Sequence, residues 1–189
     1  HKLAGALEVF SDVLIEGKIC LDAGASTGGF TDVLLRKGAK KVVAVDVGYG
    51  QLAWELRQDE RVVILDRTNI RHLTGEMVGE EVEIVVADLS FISLSLVLPA
   101  LAAVSKPSAD YLLMVKPQFE VGRERLGAGG VVRDPALRRA AVLDVAQSAY
   151  DVGLGTMAIA ASPLPGPAGN VEYFLWLRRG APAIDEGEL

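Results

Sequence analysis

Residues 18–38 read KICLDAGASTGGFTDVLLRKG. The stretch opens as a short apolar run, passes through small residues, and then places Phe30, Val33, Leu34 and Lys37 at helical spacing before stopping at Gly38. Strand, glycine-rich turn and helix in that order predict one unit of a parallel sheet. The turn lies beyond the carboxyl end of its strand, where open α/β sheets hold their ligands. Gly24, Gly28 and Gly29 allow the backbone to turn tightly and a ligand to come close. The turn matches neither G-x-G-x-x-G nor G-x-x-x-x-G-K-[ST], so it predicts neither a dinucleotide nor a nucleoside triphosphate.

Working outward, apolar runs recur at KVVAVDV (41–47), VVILD (62–66), VEIVVADL (82–89) and YLLMVKP (111–117). Most are continuously apolar, as strands covered on both faces are. Helical patterns separate them. SLSLVLPALAAVS (93–105) predicts a buried helix, and DPALRRAAVLDVAQSAYDVG (134–153) has Asp134 as N-cap, Pro135 in the first turn and Gly153 as the stop. MAIAASPL and NVEYFLWLRR, joined by a turn-rich link, predict an antiparallel hairpin at the sheet edge. The expected fold is α/β, a three-layer sandwich with a mostly parallel sheet and a C-terminal antiparallel hairpin. One domain is expected over residues 1–180, with APAIDEGEL (181–189) as an acidic, frayed tail. Trp54 and Trp176 are read as packing residues.

Bulk properties agree with a packed domain. The chain has 189 residues, half of them hydrophobic, and a mean hydropathy of +0.31. Its one cysteine, Cys20, lies in an apolar run and has no disulfide partner, as in reducing, cytoplasmic surroundings. Residues 89–105 carry no charge but are shorter than the ~20 residues that cross a bilayer. No stable membrane association is expected. The first residue is His1, so a segment upstream is expected. Net charge is −6, which gives no general attraction to nucleic acid. The window 123–139 runs the other way, with five arginines against Glu124 and Asp134.

Four strands end in acidic residues: Asp22, Asp46, Asp66 and Asp88. Any one of them could be an ordinary loop residue, but their recurrence on successive strands predicts a cofactor rim. Such a rim repels a pyrophosphate and suits S-adenosylmethionine, which carries a sulfonium and an ammonium but no phosphate. Asp22 is expected to face the methionine end, Asp46 the ribose and Asp66 the adenine amino group. Gly24, Ser26, Thr27, Gly28, Gly29 and Phe30 are expected to line the same site, along with Asp88.

The motifs DAGASTGGF, VAVDVGYGQL, ADLSFISL, LMVKPQFEVGR, GGVVRDP and GNVEYFLWL together resemble the FtsJ-like RNA ribose methyltransferases. Within them the chain is similar to the TlyA (hemolysin A) family of ribosomal RNA 2′-O-methyltransferases, over essentially its whole length. The resemblance implies a Rossmann-like, S-adenosylmethionine-dependent methyltransferase fold and a Lys-Asp-Lys-Glu tetrad. Carried over, the tetrad is Lys2, Asp88, Lys116 and Glu172. Its implied substrate is ribosomal RNA or a ribosomal subunit, at cytidines. It also implies a small N-terminal RNA-binding domain, which is not within these residues.

The chemistry stands beside the name. A ribose 2′-hydroxyl is a weak nucleophile at neutral pH and needs a base or strong electrostatic help. Lys116 is expected to take the proton or stabilise the forming alkoxide, with Asp88 positioning it and Lys2 and Glu172 orienting the hydroxyl. Phe119, Arg123, Arg125 and Arg133 are expected to contact RNA, and no metal is expected. The rival readings are a methyltransferase for a small molecule or protein, an NAD-dependent oxidoreductase, a binding-only RNA module and a membrane-active cytolysin.

Overall fold

The computed structural model describes residues 1–189, except for the side chain of residue 188. Seven strands form one sheet: β1 (Ile19–Ala23), β2 (Lys41–Val45), β3 (Val62–Leu65), β4 (Val82–Ala87), β5 (Ser105–Val115), β6 (Leu154–Ala161) and β7 (Tyr173–Arg179). Their order is β3-β2-β1-β4-β5-β7-β6. The first five run parallel, and β7 slots antiparallel between β5 and the edge strand β6. The order reverses beside β1, so the crevice predicted from the glycine turn opens at the switch point.

Helices cover both faces. On one side lie α1 (Lys2–Val9) and α2 (Gly29–Arg36), with the short α3 (Trp54–Arg57) beside them. On the other lie α4 (Gly75–Val78), α5 (Leu94–Ala103) and α6 (Pro135–Asp151). Strand alternation divides the core between the two sides. Leu21, Val85, Leu113 and Leu175 pack with α5 and α6, whereas Cys20, Ile84, Val86, Leu112, Met114 and Phe174 pack with α1 and α2.

The uncharged run forms α5, a ten-residue helix whose Leu94, Val97, Leu98 and Leu101 are buried, so its apolarity belongs to the core. No described helix is long and apolar enough to cross a membrane. Asp134 caps α6, accepting from the Ala136 amide at 2.9 Å, and Gly153 leaves the helix at φ +90°.

Two expectations meet a different outcome. Trp54 is 70% exposed: it is the first residue of a four-residue helix whose Leu56 turns inward instead, as does Leu52 just before the helix. Residues 181–189 lie back along β6, with the Thr156 amide donating to the Pro182 carbonyl at 2.8 Å and Ile184 packing on the core. Trp176 does pack as expected, tilted against Phe10 with ring centroids 5.6 Å apart, and its Nε1 donates to the buried Asp110 at 2.8 Å. Trp176→Phe keeps an aromatic ring against Phe10 but removes the donor and part of the ring; urea unfolding is expected to show a loss of about 1–2 kcal/mol or more.

Candidate active site

The glycine turn is shaped by its neighbours. Gly24 sits at φ +81°, and a Cβ there would come within 2.4 Å of the Asp88 carbonyl. The residue is therefore glycine so that the ends of β1 and β4 can touch. From this junction the loop turns back, and the Ser26 amide donates to Asp46 Oδ2 at 2.7 Å. The Gly48 amide holds the other oxygen at 2.8 Å, so the Asp46 carboxylate is fixed at the end of β2.

A cavity of about 400 Å³ opens here, walled by Gly24, Ser26, Asp46 and Asp88 and, on the apolar side, by Ile70 and Leu89. Other residues expected at the cofactor site lie elsewhere. Asp22 is fully buried, shares the strand parity of Cys20, and accepts from the Thr31 hydroxyl at 2.7 Å beneath α2. Asp66 accepts from the Gly50 amide at 3.1 Å and is not on the wall. Thr27 and Gly29 are exposed and absent from the wall; the Thr27 carbonyl takes the Ala53 amide. Gly28 faces Leu52 and Leu56, and Phe30 stacks on Phe174 at 6.0 Å.

A second cavity of about 620 Å³ adjoins the first and shares Gly24, Ser26 and Asp88 with it. All four tetrad residues line it. Lys116, 8% exposed, contacts Asp88 and donates to the Ser90 hydroxyl at 3.3 Å. Lys2, at the start of α1, reaches Glu172 at 3.2 Å. Glu172 is completely buried, and its second oxygen accepts from Gln118 Nε2 at 2.9 Å. A Cβ at position 166 would lie 2.4 Å from that oxygen, so Gly166 makes room for the carboxylate.

The β5–β7 register explains why Lys116 and Glu172 meet. Val115 pairs with Tyr173, and one step further along the ladder brings Lys116 opposite Glu172. Phe119 also lines the larger cavity and lies against Phe91, whose ring is 90% exposed and 4.9 Å away. Phe91 adopts φ +63°, a costly conformation for an aromatic residue, at the mouth of both cavities. Arg123, Arg125 and Arg133 are exposed on the segment following Phe119; none lines the larger cavity, and Arg123 borders a neighbouring hollow beside Phe119.

Three supporting side chains carried no signal in the sequence. Asn170 fastens the arginine-bearing segment to the hairpin loop, accepting from the Val132 amide at 2.8 Å and donating to the Gly130 carbonyl at 3.0 Å. Glu120 ties the loop after Lys116 to the start of α5, accepting from the Ser93 hydroxyl at 2.6 Å and the Leu94 amide at 3.0 Å. Burial pushes the Glu120 carboxyl up, against those two hydrogen bonds. Gln118 is the third. Among the described residues there is no cluster of three or more His, Cys, Asp or Glu side chains able to hold a metal ion.

Comparison with known proteins places the fold among the methyltransferases. Residues 1–179 match the family model described as FtsJ-like methyltransferase, and the chain belongs to that family. It is 62% identical over 178 residues to the 16S/23S rRNA (cytidine-2′-O)-methyltransferase TlyA of Mycobacterium tuberculosis, covering 94% of this chain and 66% of that protein. It is 41% identical to Hemolysin A of Brachyspira hyodysenteriae, covering 92% of this chain and 72% of that one. A solved structure of a Streptococcus thermophilus protein named as a hemolysin superposes with a TM-score of 0.92 at 42% identity, covering 97% of this chain and 67% of the other. The chain thus spans just under two thirds of the length of the mycobacterial relative.

Burial raises the Asp22 carboxyl from 3.8 to about 7; the Thr31 hydrogen bond opposes the rise and the charge of Asp88 adds to it. Between those values the native state keeps a proton that the unfolded chain releases. The stability linked to this group is therefore full below about pH 4 and is lost as pH rises through about 7. Asp22→Asn keeps an acceptor for Thr31 and removes the ionisation. Relative to the unaltered chain, the variant is expected to gain more than about 1 kcal/mol between pH 5 and pH 8, read by urea unfolding across pH.

Proposed function

We propose that this chain is the catalytic part of an S-adenosylmethionine-dependent methyltransferase acting on the ribose 2′-hydroxyl of cytidines in ribosomal RNA, in the cytoplasm. The observation that carries it is the meeting of two cavities at Asp88, with Lys2, Lys116 and Glu172 lining only the larger one.

The smaller cavity fits the cofactor by its chemistry. Its wall includes no lysine or arginine to neutralise a phosphate, but it has two carboxylates and an apolar side. Asp46 is held with lone pairs to spare for ribose hydroxyls, Ile70 and Leu89 offer faces for adenine, and Asp88 supplies negative charge near a sulfonium. Bound there, S-adenosylmethionine supplies an electrophilic methyl carbon.

In the larger cavity the chain's own groups act on the hydroxyl. Lys116, held by Asp88 and Ser90, is a donor aimed where the oxygen gains negative charge. Lys2, held by Glu172, is a second donor that orients the same oxygen, and much of the acceleration comes from this positioning. The hydroxyl's proton passes to the Lys116–Asp88 pair, whose carboxylate can accept it, as the oxygen bonds the methyl carbon and the sulfonium leaves as a neutral thioether. Phe119, with Phe91 beside it, offers a surface on which a base can stack, and Arg123, Arg125 and Arg133 offer local positive charge in an acidic chain. The identity to an enzyme named for cytidine 2′-O-methylation of 16S and 23S rRNA supports the same substrate here.

Calorimetric titration is expected to show binding of S-adenosylmethionine and none of NAD. Asp46→Ala is expected to weaken that binding about tenfold or more. Transfer of labelled methyl to ribosomal RNA is expected, and Lys116→Ala should lower kcat by about 100-fold or more while cofactor affinity changes less than about twofold. Binding of NAD, or transfer that ignores Lys116, would overturn the reading.

A further inference from the structure

Gln118 has so far appeared only as a partner of Glu172. It lies on the single turn Pro117–Phe119 directly after Lys116, and so links one lysine–carboxylate pair to the other. The orientation of its amide is fixed. Glu172 already takes Lys2 on one oxygen, and a carboxylate so paired only accepts, so the Gln118 nitrogen must face it and the carbonyl must face away.

That carbonyl oxygen is buried and meets no donor among the described residues, although Gln118 lines the larger cavity. An unpaired buried acceptor costs about 1–3 kcal/mol, and native proteins keep few of them. The groups around it sharpen its purpose. Lys2 and Lys116 donate, and Glu172 has both oxygens engaged. A nucleotide entering between them finds donors in both lysines for its oxygens; for its own hydrogens the wall offers the Asp88 carboxylate, on the side shared with the smaller cavity, and the unpaired Gln118 carbonyl.

We propose that Gln118 is a substrate-binding residue whose side-chain carbonyl, turned away from Glu172, accepts a hydrogen bond from the target nucleotide. An internal cytidine has two such donors, the 2′-hydroxyl and the exocyclic amine. The assignment rests on the RNA methyltransferase reading above.

Two substitutions separate the two ends of the amide. Gln118→Lys keeps a donor for Glu172 and removes the acceptor; Gln118→Glu keeps acceptors and removes the donor. The assay is methyl transfer to rRNA fragments with cytidine or uridine at the target position, beside calorimetric S-adenosylmethionine affinity and melting temperature. Gln118→Lys is expected to lose about tenfold or more in kcat/KM with cofactor affinity unchanged. Loss on both fragments assigns the contact to the 2′-hydroxyl, and loss on the cytidine fragment alone assigns it to the amine. Should the lysine variant fail to fold, Gln118→Met, which removes both ends of the amide, is read against Gln118→Glu: loss in the methionine variant with activity kept in the glutamate variant assigns the role to the acceptor, and loss in both assigns it to the brace. A lysine variant as active as the unaltered chain, with the glutamate variant inactive, reduces Gln118 to a brace for Glu172 and overturns the proposal. If the unaltered chain binds S-adenosylmethionine but methylates neither fragment, the methyltransferase reading falls, and this one with it.

Discussion

A β-strand sends successive side chains to opposite faces, and here that constraint decides where charge can gather. Val86, Met114 and Phe174 all point to the face covered by α1 and α2. Two residues further along, in the direction of the crevice, come Asp88, Lys116 and Glu172. Because the intervening residues keep the parity, all three emerge on one side of the sheet, under the helix that begins with Lys2. A slip of one residue in β5 or β7 would move a charge into the opposite core. The register of those two antiparallel strands is thus as necessary to the site as the side chains themselves.

Stability alone does not account for two ion pairs at one cavity. Removing ions from water costs several kcal/mol each, and apolar residues of similar size often serve a fold as well or better. Here Glu172 is wholly buried and Lys116 nearly so, with Gly166 giving up its side chain to admit the carboxylate. Phe91 holds a strained backbone angle a few residues away. Costs concentrated in this way mark a place where chemistry outweighs packing.

The strand and helix series is readable because both faces of the sheet are apolar and the helices α2 and α6 carry their own stop or start residues, Gly38 and Asp134. Lys2, Asp88, Lys116 and Glu172 were readable only through motifs, since they are 170 residues apart at the extremes and no local pattern joins them. Asp22 and Asp66 show the limit of reading strand ends. Both are placed correctly along the chain, but the face each one takes depends on Thr31 and on the Gly50 loop. Trp54 was misjudged because hydrophobicity predicts burial only when the backbone turns a residue inward, and the first position of α3 does not. Gln118, Glu120 and Asn170 act through partners 54, 27 and 38 residues away, a separation that periodicity cannot reveal.

Cys20 lies at the centre of the sheet, on β1 between β2 and β4, with no exposed surface. Burial raises its thiol to about 12, so at neutral pH almost none of it is the reactive thiolate. In the native state the sulfur is doubly shielded, by packing and by protonation. Because it is the chain's single cysteine, any reaction with a thiol reagent reports loss of the packing between the sheet and the helices α1 and α2 that cover this face. The fold therefore carries its own gauge of opening: alkylation rates on the unmodified protein measure how often the layer of α1 and α2, which carries Lys2, lifts from the sheet.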